Sequence, residues 1–180
     1  KNSVQGMGPG HFVRLGWLYY DETGAVVTDY GAARFLNVEA KRGGRYLPEN
    51  DSWASATIAH NTLVVDEQSH FAGDWKVGEK SGTRQLAASL EGPTRYAIGE
   101  IDSAYKDVQI RRALLLVEVE GLANPLTLDI LHGTGSGRHR YDLPLHFSGQ
   151  IIDSDIAFDR KLAERPVLGK ANGYEHLWVD

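Results

Sequence analysis

The sequence has 180 residues, of which 42% are hydrophobic, a formal net charge of −5 at pH 7 and no cysteine. This length suits one domain with a sizeable core, and the lack of cysteine excludes disulfides and thiolate metal sites. The negative charge argues against a broad nucleic-acid-binding face, and no apolar run approaches the roughly 18 residues of a membrane helix. We therefore expect neither a nucleic-acid partner nor a membrane span. No signal peptide is visible.

The first half of the chain opens with a polar, glycine-rich segment that predicts a loop over residues 1–10. Residues 12–20 (FVRLGWLYY) have strand composition, and 25–30 (AVVTDY) are predicted to return after the turn sequence DETG. A helical turn is predicted at 52–55, with Asp51 as its N-cap. Further strands are predicted at residues 35–40, 83–91, 96–102, 108–120, 126–132, 143–152 and 174–179.

Residues 57–66 (TIAHNTLVVD) read as another strand. Alternation of side chains would place Ile58, His60 and Thr62 on one face of it. A histidine held rigidly in this way suits a metal ligand. The alternative is a partly buried structural histidine, which is common in proteins.

Short strands at regular spacing, separated by turn signals and rich in glycine and proline, predict an all-β fold, an antiparallel β-sandwich. The segment HGTGSGR (132–138) is predicted to be a flexible loop. Its glycine spacing is G-x-G-x-G and no helical pattern follows it, so nucleotide binding is rejected.

Local charge departs from the overall balance in the segment 34–45, where four basic residues and one glutamate give a net charge of +3. A small anionic ligand could bind there despite the acidic average. The alternative interpretation is a solvated charged loop.

Three stretches resemble one known family: GHFVRLGWLYYDETGAVVTDYGAARF (10–35), EAKRGGRYLPEN (39–50) and TIAHNTLVVDEQSHF (57–71). They are similar to the heparinase II/III-like lyases, and most similar to the exolytic oligoalginate lyases of polysaccharide lyase family 17. YDLP (141–144) and NGYEHLW (172–178) extend the resemblance over nearly the whole chain. The resemblance implies a larger enzyme with an N-terminal (α/α) toroid and β-sandwich sheets. Residues 1–180 are then expected to be a sandwich fragment, without the toroid and the last sheets.

The resemblance also implies a structural zinc ion held by two histidines and an aspartate. The matching positions are His11 in GHF, Asp29 in TDYG and His60 in IAHNT. Imidazole and carboxylate are suitable zinc ligands, and three protein ligands leave one position open. The alternative is that Asp29 and His60 merely hydrogen-bond to each other.

The implied reaction is β-elimination at a uronic acid, in which a base removes the proton next to the carboxylate and an acid protonates the leaving oxygen. Tyr46 matches a tyrosine that lines the family's active site and is the predicted catalytic residue. Its phenol titrates near pH 10 unless positive charge lies close by, which Arg42 and Arg45 would supply. These two arginines and His70 are predicted to bind substrate.

One position departs from the family pattern. The family has HGHF where this chain has PGHF, so Pro9 stands at the place of a catalytic histidine. Proline offers no titratable group and no backbone N–H. This departure supports a rival hypothesis, a non-catalytic carbohydrate-binding or scaffold sandwich.

The sequence therefore predicts the sandwich part of a bacterial polysaccharide lyase that acts on alginate oligosaccharides, with a sibling lyase for heparin-like glycosaminoglycans as an alternative. We expect the fragment alone to be inactive. Its expected partners are an anionic oligosaccharide, the missing parts of the same enzyme and possible further copies of itself. The family implies a periplasmic or secreted location. Unpaired strand edges in a truncated sandwich predict self-association.

Overall fold

The computed structural model describes residues 11–29, 31, 47–155, 157 and 164–179. Eight strands lie within these ranges: β1 (Tyr19–Asp21), β2 (Gly24–Val27), β3 (Val64–Val65), β4 (Arg84–Ser89), β5 (Thr94–Tyr105), β6 (Val108–Val117), β7 (Leu126–Gly135) and β8 (Tyr141–Asp142). One α-helix, α1, covers Trp75–Lys80. Short π- and 3-10-helices cover Asn50–Ala54, Thr57–Ala59, His70–Gly73 and Tyr174–His176. No helix in the described part is both long and apolar enough to cross a bilayer.

The largest sheet has four antiparallel strands in the order β4-β5-β6-β7. The pairing of β6 with β7 runs without interruption from Val108 opposite Gly135 to Val117 opposite Leu126. Two-stranded sheets, β1-β2 and β3-β8, complete the strands of the described part.

The architecture is an antiparallel all-β sandwich, as the sequence predicts. The strands predicted at 83–91, 96–102, 108–120 and 126–132 are all present, with ends shifted by a few residues. The predicted loop at 132–138 begins later than expected, because β7 continues to Gly135.

The core lies between one face of this sheet and a layer of mostly irregular chain, the irregular layer, which includes residues 11–18, 28–29, 47–63, 66–73 and 172–177. Ile101, Val108 and Ile110 on the sheet pack with Leu63 and Phe71 from that layer. A second apolar cluster, centred on Trp53 and Tyr174, lies within the irregular layer. Apolar side chains also remain exposed on β7, at Leu126, Leu128 and Ile130.

The first hairpin is shorter than its sequence suggests. Its turn is closed by Asp21, whose Oδ1 accepts hydrogen bonds from the backbone N (2.7 Å) and Oγ1 (2.6 Å) of Thr23. Gly24 follows with φ of 130°, a conformation that glycine adopts without steric cost. Strand β1 starts only at Tyr19, so residues 12–18 are irregular although their composition is strand-like.

The strand predicted at 57–66 is wrong. Residues 57–59 form a 3-10 turn, and only Val64 and Val65 pair as a strand, with β8. All nine residues from 57 to 65 are buried, which resembles a central strand in the sequence. Side-chain hydrogen bonds take the place of the backbone hydrogen bonds that a paired strand would make. Thr57 Oγ1 donates to Phe12 O at 2.7 Å, and Thr62 Oγ1 donates to Arg14 O at 2.6 Å. Buried backbone carbonyls are thereby satisfied without a neighbouring strand.

Three other elements differ from their predictions. The helical turn near 52–55 exists as Asn50–Ala54, and no side chain caps it, so Asp51 is not the N-cap. The strands predicted at 143–152 and 174–179 are absent; Phe147 forms an isolated bridge with Val27, and Tyr174–His176 is a 3-10 turn. The strand predicted at 35–40 lies outside the described residues.

Helix α1 is a regular element that the sequence pattern did not indicate. Asp74 caps its N-terminus, accepting from the backbone N of Lys76 at 2.8 Å. Arg14 binds its C-terminal end, donating from Nη2 to Gly78 O at 2.7 Å and from Nε to Ser81 O at 3.3 Å. A basic side chain on these carbonyls is a favourable C-terminal arrangement.

Candidate metal centre

The three predicted ligands lie close together in the irregular layer. His11, Asp29 and His60 each offer one ligand atom, and these atoms all lie within 4.8 Å of one another. The ring centroids of the two histidines are 4.9 Å apart. Each ligand comes from a different segment, outside any strand or helix.

Asp29 and His60 are already in direct contact. His60 Nδ1 lies 2.8 Å from Asp29 Oδ1, and the side chains are 1% and 11% exposed respectively. The second ring nitrogen of His60, Nε2, is buried and makes no hydrogen bond to the residues that the structure describes. A buried imidazole nitrogen without a partner is costly unless something else binds it. Two imidazoles and one carboxylate form a donor set suited to zinc.

The segment that carries His11 is fixed by its next residue. Phe12 donates its backbone N–H to Ser55 O at 2.9 Å, and its carbonyl accepts from Thr57 Oγ1 at 2.7 Å. The same threonine oxygen accepts from the backbone N of His70 at 2.8 Å. Thr57 is fully buried, and its hydroxyl joins the segment of His11 to the segment of His70.

A cleft of about 320 Å³ opens beside His11. Its walls include Asn50, Ser52 and Trp75, and Trp75 is 45% exposed. Phe12 also lines the cleft, and aromatic surfaces combined with a few polar groups are typical of small-molecule sites. No sequence pattern distinguishes Trp75 from the other three tryptophans.

His70 does not fit the predicted contact with substrate. Its side chain is completely buried. Nδ1 accepts from the backbone N of Arg14 at 3.2 Å, and Nε2 lies 3.1 Å from Leu63 O. This network assigns the proton to Nε2, and burial lowers the pKa of His70 to about 3. His70 is a neutral structural residue that holds two chain segments together.

The predicted catalytic Tyr46 and the predicted substrate-binding Arg42 and Arg45 lie outside the described residues. The description resumes at Leu47, directly after Tyr46. Leu47 O accepts from the backbone N (3.0 Å) and from Nδ2 (3.1 Å) of Asn50. The carbonyl of Leu47, the first residue after Tyr46, is therefore held by two hydrogen bonds.

Asn61 is an important residue that the sequence interpretation missed. It is 2% exposed and hydrogen-bonds to Thr28, the neighbour of Asp29, at 2.6 Å. Its position directly after His60 was the available signal, but strand alternation assigned it to the opposite face.

The fold agrees with a family comparison that covers almost the entire chain. Residues 1–179 match the family model described as "Heparinase II/III-like, C-terminal". The chain belongs to this family, which confirms the resemblance seen in its sequence.

Two curated relatives are similar over the same length. The chain is 52% identical over 180 residues to a protein of Stenotrophomonas maltophilia (strain K279a) named "Alginate lyase". It is 47% identical over 179 residues to a protein of Saccharophagus degradans (strain 2-40) named "Exo-oligoalginate lyase". These matches cover 100% and 99% of the chain, but it spans only 24% of the length of each relative.

Proposed function

We propose that this chain is the β-sandwich portion of a polysaccharide lyase that cleaves alginate oligosaccharides from their ends by β-elimination. The observation that carries the proposal is the identity of 52% and 47%, over essentially the whole chain, to proteins named as alginate and exo-oligoalginate lyases. An anionic oligosaccharide is the substrate that follows, and a periplasmic or secreted location suits such a polymer.

The chemistry requires a base for the proton next to the uronate carboxylate, an acid for the leaving oxygen, and positive charge to stabilise the intermediate. In this proposal Tyr46 exchanges the proton, and Arg42 and Arg45 neutralise the carboxylate. Arginine suits that role because its planar guanidinium binds carboxylates in a bidentate manner. Asn50 contributes by donating a hydrogen bond to the carbonyl of Leu47, the residue after Tyr46.

We further propose that His11, Asp29 and His60 hold a structural zinc ion. Their convergence within 4.8 Å and the buried, unbonded Nε2 of His60 support this assignment. The ion would cross-link three segments that share no regular secondary structure, which is the contribution of structural zinc sites to folding.

The lyase proposal is tested on the full-length protein that contains this chain. Incubation with alginate oligosaccharides should raise the ultraviolet absorbance of the unsaturated uronate product, and heparin serves as the rival substrate. Tyr46→Phe should lower kcat by roughly 10²–10⁴-fold, the usual contribution of a general acid or base. Tyr20→Phe is the matched control, since Tyr20 is 63% exposed in the first hairpin. Absence of product on every uronate tested would refute the proposal.

The metal proposal is tested by elemental analysis of the purified protein. We expect about one zinc per chain, as for other structural sites, and its loss in His60→Ala. His139→Ala is the control, because His139 bonds to Asp66 and lies outside the cluster. Metal-free, folded wild-type protein that takes up no added zinc would contradict the assignment.

Pro9 favours a second candidate function, a sandwich that binds oligosaccharide without cleaving it. In that case binding would be measurable by calorimetry, no unsaturated product would appear, and Tyr46→Phe would bind as the wild type does.

A further inference from the structure

We propose that Asn61 is the positioning residue of the metal centre: its side-chain amide holds the segment of Asp29 against the segment of His60 and thereby sets the affinity for zinc. The inference rests on the proposed zinc site and assigns the support of that site to a residue outside the ligand set.

The carboxamide of Asn61 closes a ring of three hydrogen bonds. Asn61 Nδ2 donates to Thr28 O at 2.6 Å, and Thr28 N donates to His146 O at 2.9 Å. His146 N completes the ring by donating to Asn61 Oδ1 at 2.5 Å. Each residue donates once and accepts once, so each bond orients the next.

This ring lies directly beside two of the three ligands. Thr28 precedes Asp29, and Asn61 follows His60, while strand β2 has already ended at Val27. No strand of the described part continues through Asp29 or His60. The amide therefore provides the link between these segments that a sheet ladder would otherwise provide. Its second N–H lies 3.3 Å from Trp17 O, so both donors and the acceptor of the group are used.

Asn61 is itself held from the large sheet. Its carbonyl accepts from Arg112 Nη1 at 2.6 Å, and the same nitrogen donates to Leu15 O at 2.9 Å. The side chains of Asn61 and Arg112 are both nearly inaccessible to solvent, at 2% and 3%. The orientation of the amide is thus fixed by contacts on both its backbone and its side chain, as expected for a residue that pre-forms a binding site.

Chemistry predicts which substitutions break the ring. Asn61→Ala removes all the side-chain bonds. Asn61→Asp keeps the shape and the acceptor for His146 N, but it places an oxygen against the carbonyl of Thr28. Changes to groups that orient metal ligands typically weaken metal binding by about 10–100-fold. We expect both Asn61 variants to bind zinc about 10–100-fold more weakly than the wild type. A substitution outside the ring should weaken zinc binding less.

The test is a zinc titration of metal-free protein in competition with a chromophoric chelator, with the visible spectrum of the Co²⁺-substituted protein as the second readout. Asn172→Gly is the matched control. Asn172 also donates a long-range side-chain amide bond, to Glu67 O at 2.9 Å, and its φ of 59° suits glycine. We expect weaker zinc binding and an altered Co²⁺ spectrum in both Asn61 variants, and neither effect in Asn172→Gly.

The outcomes separate this inference from the function on which it rests. Tight zinc binding by the wild type and by both Asn61 variants would overturn the role of Asn61 and leave the zinc site standing. A wild type that binds no zinc would overturn both. If the variants do not fold, hydrogen exchange of the wild type decides: zinc should slow the His146 amide more than the Ser148 amide, which bonds to Val26 O at 2.9 Å. Equal slowing would refute the proposal.

Discussion

Arg112 and Asp129 form a two-point ion pair between the neighbouring strands β6 and β7. Arg112 Nε donates to Asp129 Oδ1 at 2.7 Å and Nη2 donates to Oδ2 at 2.5 Å. The remaining guanidinium nitrogen reaches the carbonyls of Leu15 and Asn61. One cation therefore connects the sheet to the irregular layer that carries the candidate metal centre.

Arg112→Met is expected to destabilise the protein by about 3–5 kcal/mol, because it leaves the Asp129 carboxylate and two buried carbonyls without their donor. The free energy of unfolding in urea measures the effect. Arg111→Met is the control: Arg111 is 54% exposed and its pair with Glu100 should contribute no more than about 1 kcal/mol. Equal losses in the two variants would contradict the assigned role of Arg112.

The buried His70 predicts loss of stability in weak acid. Burial lowers its pKa from 6.5 to about 3 in the folded protein. Between these values the unfolded chain binds a proton that the folded chain does not, so stability falls as pH drops below 6.5, by up to about 1.4 kcal/mol per pH unit. His70→Gln should flatten this slope in urea unfolding measured from pH 7 to pH 5. His132→Gln, a change of an exposed histidine, should leave it unchanged, and a slope that survives in His70→Gln would contradict the prediction.

For His139 we predict the opposite dependence of stability on pH, with stability lost as the pH rises. His139 Nδ1 donates a hydrogen bond to Asp66 Oδ2, 2.7 Å away, and this bond raises the pKa of His139 and lowers the pKa of Asp66. The stabilisation from His139 is complete below 6.5 and is lost as pH rises through its raised pKa. The contribution of Asp66 is present above its ordinary value of 3.8 and is lost only in stronger acid. The melting temperature of His139→Gln should therefore fall less than that of the wild type between pH 6 and pH 9. An equal fall in both proteins would show that the pair has no such role.

Trp75 is expected to provide a stacking surface for sugar in the cleft beside His11. Trp75→Ala should weaken binding of alginate oligosaccharides to the full-length protein roughly tenfold, the scale of one good aromatic contact. Trp75→Phe should restore most of the affinity measured by calorimetry. Trp178→Ala is the control because Trp178 is 60% exposed and does not line the cleft. Affinity unchanged in Trp75→Ala would exclude this role.

The four-stranded sheet could be predicted from sequence because its strands are rich in β-branched and aliphatic residues and lie between clear turns, and part of one strand also alternates. In β6, Val108, Ile110 and Arg112 are buried while Gln109 and Arg111 are exposed. Residues 57–65 could not be assigned in this way. They are buried without alternation, and polar side chains such as Thr57 and Asn61 provide the hydrogen bonds that a strand would take from its neighbour. Helix α1 has six residues, too few for a helical period to appear.

The candidate metal centre could be anticipated from sequence only through the family resemblance. His11, Asp29 and His60 show no ligand spacing typical of zinc sites, since no two of them lie on one turn of helix or one short loop. Their proximity depends on tertiary contacts, such as the ring through Thr28 and His146, which no local pattern encodes. His70 was predicted to bind substrate because it ends a motif that resembles the family, whereas its side chain is completely buried.

The bond from Arg112 to Leu15 joins positions 97 apart in the chain. During synthesis on the ribosome, the segments of Leu15 and Asn61 emerge well before Arg112, which hydrogen-bonds to both of them. At a synthesis rate of about 5–20 residues per second, Arg112 is made several seconds after these segments. Contacts that close such long loops form slowly. The candidate metal centre would thus be completed late in folding, and bound metal would indicate that a newly made chain has reached its final topology.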